Sequence, residues 1–121
     1  MNKWAKIKKQ IQLMGNYRII EDGNRALGIV LPVGDTWCEF SEDGGDGLIG
    51  LDIMDRPETP TQGQIFEYHH GYLLDDVPRI LRCAQEYFSL HHGYKGTCEH
   101  RNKTGQSFMS YLRDHVPGIH I

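Results

Sequence analysis

Short apolar runs alternate with polar turns through the first half of the chain, and this pattern predicts an antiparallel sheet. The turn segments are rich in Gly, Pro, Asp and Asn, the residues that favour reversals of the chain. Consecutive strands joined by short turns pair as an antiparallel meander. The pattern predicts five strands, at residues 17–21, 25–31, 36–40, 48–54 and 64–69.

The connection between the first two predicted strands carries a specific turn signal. Asp22-Gly23-Asn24 separates two apolar runs, and Asp-Gly is typical of hairpin turns because glycine tolerates the positive φ that they require. Gly28 lies inside the second predicted strand, where an isolated glycine often marks a β-bulge. We therefore expect a tight hairpin at Gly23 and an irregular strand at Gly28.

Apolar residues recur at three- and four-residue spacing near both ends of the chain, which predicts helices. The first helix is expected over residues 2–14, with Gly15 ending it. Two more are expected over residues 76–90 and 107–115. The predicted fold class is α+β, with a five-stranded antiparallel sheet, an N-terminal helix and two C-terminal helices in one domain, residues 1–121.

The bulk composition is that of a globular protein. The chain has 121 residues, of which 39% are hydrophobic and 24% charged, so it is long enough for one domain with its own core. No apolar run approaches the roughly 20 residues that cross a bilayer, and the N-terminal segment lacks the apolar core of a signal peptide. The three cysteines follow no disulfide spacing. We expect a cytoplasmic protein with reduced thiols.

Charge is distributed unevenly along the chain. Residues 1–25 hold six basic and two acidic side chains, whereas residues 35–67 hold nine acidic side chains against Arg56 alone. Phosphate contacts need Lys and Arg, so the acidic centre disfavours direct nucleic-acid binding. Complementary charge favours a basic protein partner instead. The alternative is an acidic surface that only keeps the protein in solution.

The block that starts at Trp37 has an ordered set of features. An aromatic residue leads a strand, an acidic turn with a Gly pair follows at 42–47, and then come Leu51-Asp52-Ile53 and Gly63-Gln64-Ile65. This arrangement resembles the SUKH superfamily, whose members are mostly immunity proteins and interaction scaffolds. Because few residues precede the block, the chain resembles a shortened member. The resemblance implies binding rather than catalysis, with a toxin, in particular a nuclease, as the partner.

On this interpretation an acidic surface blocks the basic active site of the toxin, in competition with phosphate. Alternate residues of a strand face opposite ways, so Asp52 cannot share a face with its neighbours Leu51 and Ile53. The turn acids are therefore the better candidates, and Trp37 is expected in the core. An alternative function is that of an inhibitor that mimics the charge of DNA to block a defence nuclease. It would rely on the same attraction between an acidic surface and a basic groove. The candidate partner-binding residues are Glu39, Glu42, Asp43, Asp46, Asp52, Asp55 and Glu58.

The second half of the chain offers a different chemistry. Thiolate and imidazole are the ligands that zinc prefers, so a zinc-binding module or a metal-dependent enzyme is the alternative class. The spacing lacks a two-residue Cys knuckle, and a buried inert cysteine at 83 is the commoner situation. We therefore expect no enzyme, no metal and no cofactor. The residues that this alternative would use are Cys83, His91, His92, Cys98 and His100.

Overall fold

The chain forms an α+β domain, as the sequence predicts. The computed structural model describes residues 2–32, 36–42, 47–54, 65–89 and 108–119. Its elements, in chain order, are α1 (Lys3–Met14), β1 (Arg18–Gly23), β2 (Ala26–Val30), β3 (Trp37–Ser41), β4 (Ile49–Met54), β5 (Ile65–Tyr72), a 3₁₀ turn (Leu74–Asp76), α2 (Val77–Ser89) and α3 (Phe108–His115).

The five strands form one sheet in the order β1-β2-β3-β4-β5, and each strand is antiparallel to its neighbours. The predicted meander is thus confirmed. β5 continues to Tyr72, three residues beyond the predicted end. Gly71 has φ +109 and lies where the register shifts between Ile49 and Gly50. A glycine adopts this φ without strain, so the strand continues through the irregularity.

The first hairpin is confirmed, but its turn lies one residue later than predicted. Gly23 pairs with Ala26 as the last rung of the ladder, so the two turn residues are Asn24 and Arg25. Gly23 is not among the glycines with positive φ. The conformational reason given for Gly23 from the sequence was therefore wrong, although the position of the reversal was nearly right.

The bulge expected at Gly28 occurs in the neighbouring strand. Ile19 pairs with Ile29 and Glu21 pairs with Gly28, so Ile20 is the extra residue on the β1 side. Gly28 itself keeps a regular pairing. A bulge bends and twists its strand, and it is a common device at the edge of a sheet.

One face of the sheet packs against the helices. Ile29, Cys38 and Ile53 are cross-strand neighbours, and each is completely buried. The same apolar cluster includes Ile11 of α1 and Ile80 of α2. Burial of a large aliphatic side chain contributes about 1.5–3 kcal/mol to folding, so this helix-facing row is a main source of stability.

The opposite face of the sheet is also buried at one place. Trp37 and Met54 are cross-strand neighbours with 0% and 8% of their surface exposed. Neither belongs to the apolar cluster shared with the helices, and strand alternation places both on the other face. The expected burial of Trp37 is confirmed, on the side away from the helices.

α1 is attached firmly to the domain. The side chain of Asn2 caps it by accepting a hydrogen bond from the backbone N–H of Ala5 at 2.8 Å, and Gly15 ends it with φ 77, as predicted. One stripe of the helix is buried, at Trp4, Ile7 and Ile11. Among the helices that the structure describes, none is long and apolar enough to cross a membrane.

Candidate acidic interaction surface

Two of the predicted partner-binding residues lie side by side in the sheet. Glu39 of β3 is directly opposite Asp52 of β4, and the flanking register positions in this row are Gly28 and Tyr68. The neighbouring row points toward the helices, so this row belongs to the face away from them. Both acidic residues are half-buried. We call Glu39 and Asp52 the acidic pair.

The acidic pair places two carboxylates side by side on this face. Opposite residues of an antiparallel ladder have Cβ atoms about 4.5–5.5 Å apart, and like charges at that separation repel each other. Gly28 and Gly50 place no side chain beside the pair on the same face. Trp37, two residues away along β3 on the same face, is completely buried, so it fixes the position of β3 and is no contact residue for a partner.

Glu42, a third predicted residue, has a structural contact. Its Oε2 accepts a hydrogen bond from Nε1 of Trp4 at 3.1 Å, and its backbone N–H donates to the carbonyl of Arg25 at 3.0 Å. Glu42 is half-buried and connects α1 to the end of the sheet. Sequence reasoning missed this role because the two side chains are 38 residues apart and belong to elements whose packing angle no local pattern gives.

The remaining predicted acids, Asp43, Asp46, Asp55 and Glu58, lie outside the described residues. The two residues that border the acidic turn, Glu42 and Gly47, both line a cavity of about 430 Å³ at one end of the sheet. Among the described residues, its other charged side chains are two cations and one carboxylate, so the described charges of the lining balance. The side chains that complete this lining include Lys3, Arg25, Leu73 and Asp75.

One member of the proposed metal set, Cys83, belongs to the described residues. Cys83 lies on the inner face of α2 and is 3% exposed. Burial, with a smaller contribution from Glu86, raises the pKa of its thiol to about 12. Within the described ranges no three metal-binding side chains lie together. The other candidates, His91, His92, Cys98 and His100, lie outside those ranges.

A second cavity, of about 210 Å³, lies between α2 and α3. Arg79 lines it and is already engaged. Its guanidinium donates to Oδ1 of Asp76 at 2.6 Å and to the carbonyl of Pro117 at 3.1 Å. Asp76 is buried, with 8% of its surface exposed. These bonds hold the end of α3 against the start of α2, so we assign Arg79 a structural role.

Comparison with known proteins adds no relative. No family model, no curated protein and no solved structure matches the chain. The resemblance to the SUKH superfamily rests on the motif that begins at Trp37 and stays a prediction. The function of this chain is therefore inferred from its own residues and contacts.

Proposed function

We propose that this domain binds a basic protein and neutralises it, as an immunity or inhibitor protein does. The observation that carries the proposal is the acidic pair, in which Glu39 lies opposite Asp52 on the sheet face away from the helices. The pair lines neither of the two cavities described above, whereas small substrates are usually bound in concave pockets. The position of the acidic pair therefore suits contact with a protein better than binding of a small substrate.

The charge of the surrounding sequence supports the same partner class. Residues 35–67 hold nine carboxylates against Arg56 alone. Complementary charge accelerates encounter and selects against wrong partners more than it adds affinity. A nuclease toxin is the partner that fits, because binding of phosphate requires a groove lined by Lys and Arg. Occupation of that groove by the acidic face would exclude the nucleic acid.

The proposal is tested with purified basic nuclease domains, above all with any that is encoded beside the gene for this chain. We expect co-expression of the chain to restore growth of cells that produce the nuclease, and the purified chain to inhibit cleavage of DNA or RNA. E39Q and D52N each remove one charge and keep the shape of the side chain. Each should slow association in stopped-flow measurements at low salt, since steering falls as charge is removed.

Asp75→Asn is the matched control. Asp75 is exposed at the end of the sheet, and its replacement removes one negative charge away from the acidic pair. D75N should bind at close to the parental rate. Equal association rates for all three variants, or no inhibition of the nuclease by the parent chain, would contradict the proposal.

A further inference from the structure

The outer side of α1 is a basic surface. Lys3, Lys6 and Lys9 are exposed, and the helix itself holds no acidic residue. Lys8 is different, because it forms an ion pair with Asp22 of β1. Cations near a helix N-terminus oppose the helix dipole, and like charges three residues apart repel each other. The three exposed lysines therefore weaken α1 as an isolated helix, so helix stability does not explain them.

One apolar side chain lies within this basic surface. Leu13 is 84% exposed. With about 3.6 residues per turn, it lies on the helix circumference between Lys6 and Lys9, and the buried stripe of the helix is on the other side. We call Lys3, Lys6, Lys9 and Leu13 the basic stripe. It runs about 15 Å along the helix, at about 1.5 Å per residue, and offers cations around one aliphatic contact.

The described elements divide the charge between the two layers of the domain. The three helices hold seven Lys and Arg side chains against Glu86 and Asp114. The 3₁₀ turn adds Asp75 and Asp76, of which Asp76 forms an ion pair with Arg79. An anionic plane therefore attracts the helical layer and repels the sheet. The strands hold one cation, Arg18, against five carboxylates, Glu21, Asp22, Glu39, Asp52 and Glu67.

We propose that the basic stripe docks the domain on a membrane surface rich in anionic phospholipid. The lysines supply the complementary charge, and each Lys near such a surface strengthens binding by about fivefold. Leu13 favours lipid over nucleic acid. The boundary between head groups and acyl chains accepts an aliphatic side chain, whereas a phosphate backbone is contacted through charge. The lysine stems lie beside Leu13 and keep their ammonium groups among the head groups.

Docking of this kind is peripheral. Trp4, Ile7 and Ile11 are buried in the apolar cluster of the domain, so the apolar stripe of α1 stays with the protein and only Leu13 enters the lipid boundary. The sheet is then directed away from the membrane. Docking needs neither Glu39 nor Asp52 and no toxin, so binding to vesicles and inhibition of a nuclease succeed or fail separately.

The first measurement is co-sedimentation of the purified full chain with vesicles. At low salt we expect binding to vesicles that contain phosphatidylserine beside phosphatidylcholine, and no binding to vesicles of pure phosphatidylcholine. High salt should release the chain, since the Debye length falls from about 30 Å at 0.01 M salt to about 3 Å at 1 M. A chain that stays in the supernatant with the anionic vesicles, or that binds both kinds of vesicle equally, overturns the proposal.

Charge variants locate the contact on α1. K6Q/K9Q should weaken binding to the anionic vesicles by about 30-fold, at about fivefold for each lysine. K9Q and R18Q form a matched pair, because each removes one exposed positive charge. Arg18 pairs with Val30, which pairs with Trp37, so Arg18 lies on the sheet face away from the helices. K9Q should lose about fivefold, whereas R18Q should bind with close to the parental affinity.

Leu13→Ala tests the contribution of lipid. L13A should weaken binding to the anionic vesicles by about tenfold, because it removes apolar groups that leave water on docking. Circular dichroism establishes that this variant and the charge variants are folded. Equal losses in K9Q and R18Q, or an unchanged affinity of L13A, would overturn the proposal. Binding of the parent chain to duplex DNA as tightly as to the anionic vesicles would assign the basic stripe to nucleic acid and overturn the proposal equally.

Discussion

Nε1 of Trp4 donates a hydrogen bond to Oε2 of Glu42 at 3.1 Å. This bond connects the first turn of α1 with the residue that follows β3, so a residue of the acidic segment also holds the N-terminal helix in place. Trp4 is 6% exposed, and a buried donor that loses its acceptor carries the full cost of desolvation. At Glu42, an acidic side chain of this segment therefore contributes to the stability of the fold.

The Trp4–Glu42 bond leads to a stability prediction. E42A should lower the free energy of unfolding by about 1–3 kcal/mol, because it leaves the indole N–H without an acceptor. E42Q keeps a carbonyl oxygen there and should cost less than E42A. Urea unfolding at neutral pH measures both, and a double-mutant cycle with W4F isolates the bond. Equal stability of E42A and the parent would contradict this role.

The two sides of α1 should respond differently to truncation. I11A removes a completely buried side chain and should destabilise the domain by about 2–5 kcal/mol. L13A truncates a side chain that is 84% exposed and should change stability by less than about 0.5 kcal/mol. Thermal and urea unfolding give both values. Similar losses in the two variants would mean that α1 is not docked as described.

Burial of Cys38 predicts a loss of stability in alkali. Desolvation raises the pKa of its thiol from 9.0 to about 12, so the folded state holds the proton more tightly than the unfolded state. This difference in pKa contributes to the free energy of unfolding. The contribution is complete at pH values below the pKa of the thiol in the unfolded state, and it is lost as the pH rises toward the pKa in the folded state. Between these two pKa values, the free energy of unfolding falls by about 1.4 kcal/mol per pH unit.

The variant Cys38→Ala tests whether the buried thiol causes the loss of stability in alkali. Urea unfolding of the parent and of C38A at a series of pH values above neutrality should give a shallower alkaline decline for C38A, whatever the two stabilities at pH 7. C83A is a useful companion, because burial also raises the pKa of Cys83 to about 12. Parallel declines in C38A and the parent would show that Cys38 is solvated.

Metal removal should have no effect on the fold. Cys83 is 3% exposed on the inner face of α2, where a buried inert cysteine is the commoner situation, and the candidate ligands lack a two-residue Cys knuckle. We expect well under one zinc per chain in the purified protein, and an unchanged melting temperature after chelation. Stoichiometric zinc or a large melting shift would instead support the alternative with His91, His92, Cys98 and His100.

Local physics explains what the sequence predicted correctly. The spacing of Trp4, Ile7 and Ile11 gave the buried stripe of α1, and Gly15 gave its end, because both features depend on residues a few positions apart. Strand alternation likewise placed Asp52 on the face opposite Ile53. The pairing of Glu39 with Asp52 depends in addition on the register of β3 against β4, which alternation within a single strand does not determine.

The features that were missed depend on distant contacts or on small shifts of register. Gly23 remained in the ladder because the reversal occurs at Asn24 and Arg25, and Asp-Gly alone does not determine which pair of residues turns. The contact of Glu42 with Trp4 requires the docking position of α1. The burial of Trp37 on the outer face was also unforeseen, since periodicity predicts burial but not the side of the sheet.

The strand order has a consequence for the sequence of events in folding. Each of the five described strands pairs with its neighbour in the chain, so this sheet grows by closing short loops, which costs little entropy. The bonds from Trp4 to Glu42 and from Tyr17 to Gln85 close loops of 38 and 68 residues, and each doubling of a loop costs about 0.6 kcal/mol more. We expect hairpin variants to slow refolding and α1 variants mainly to speed unfolding.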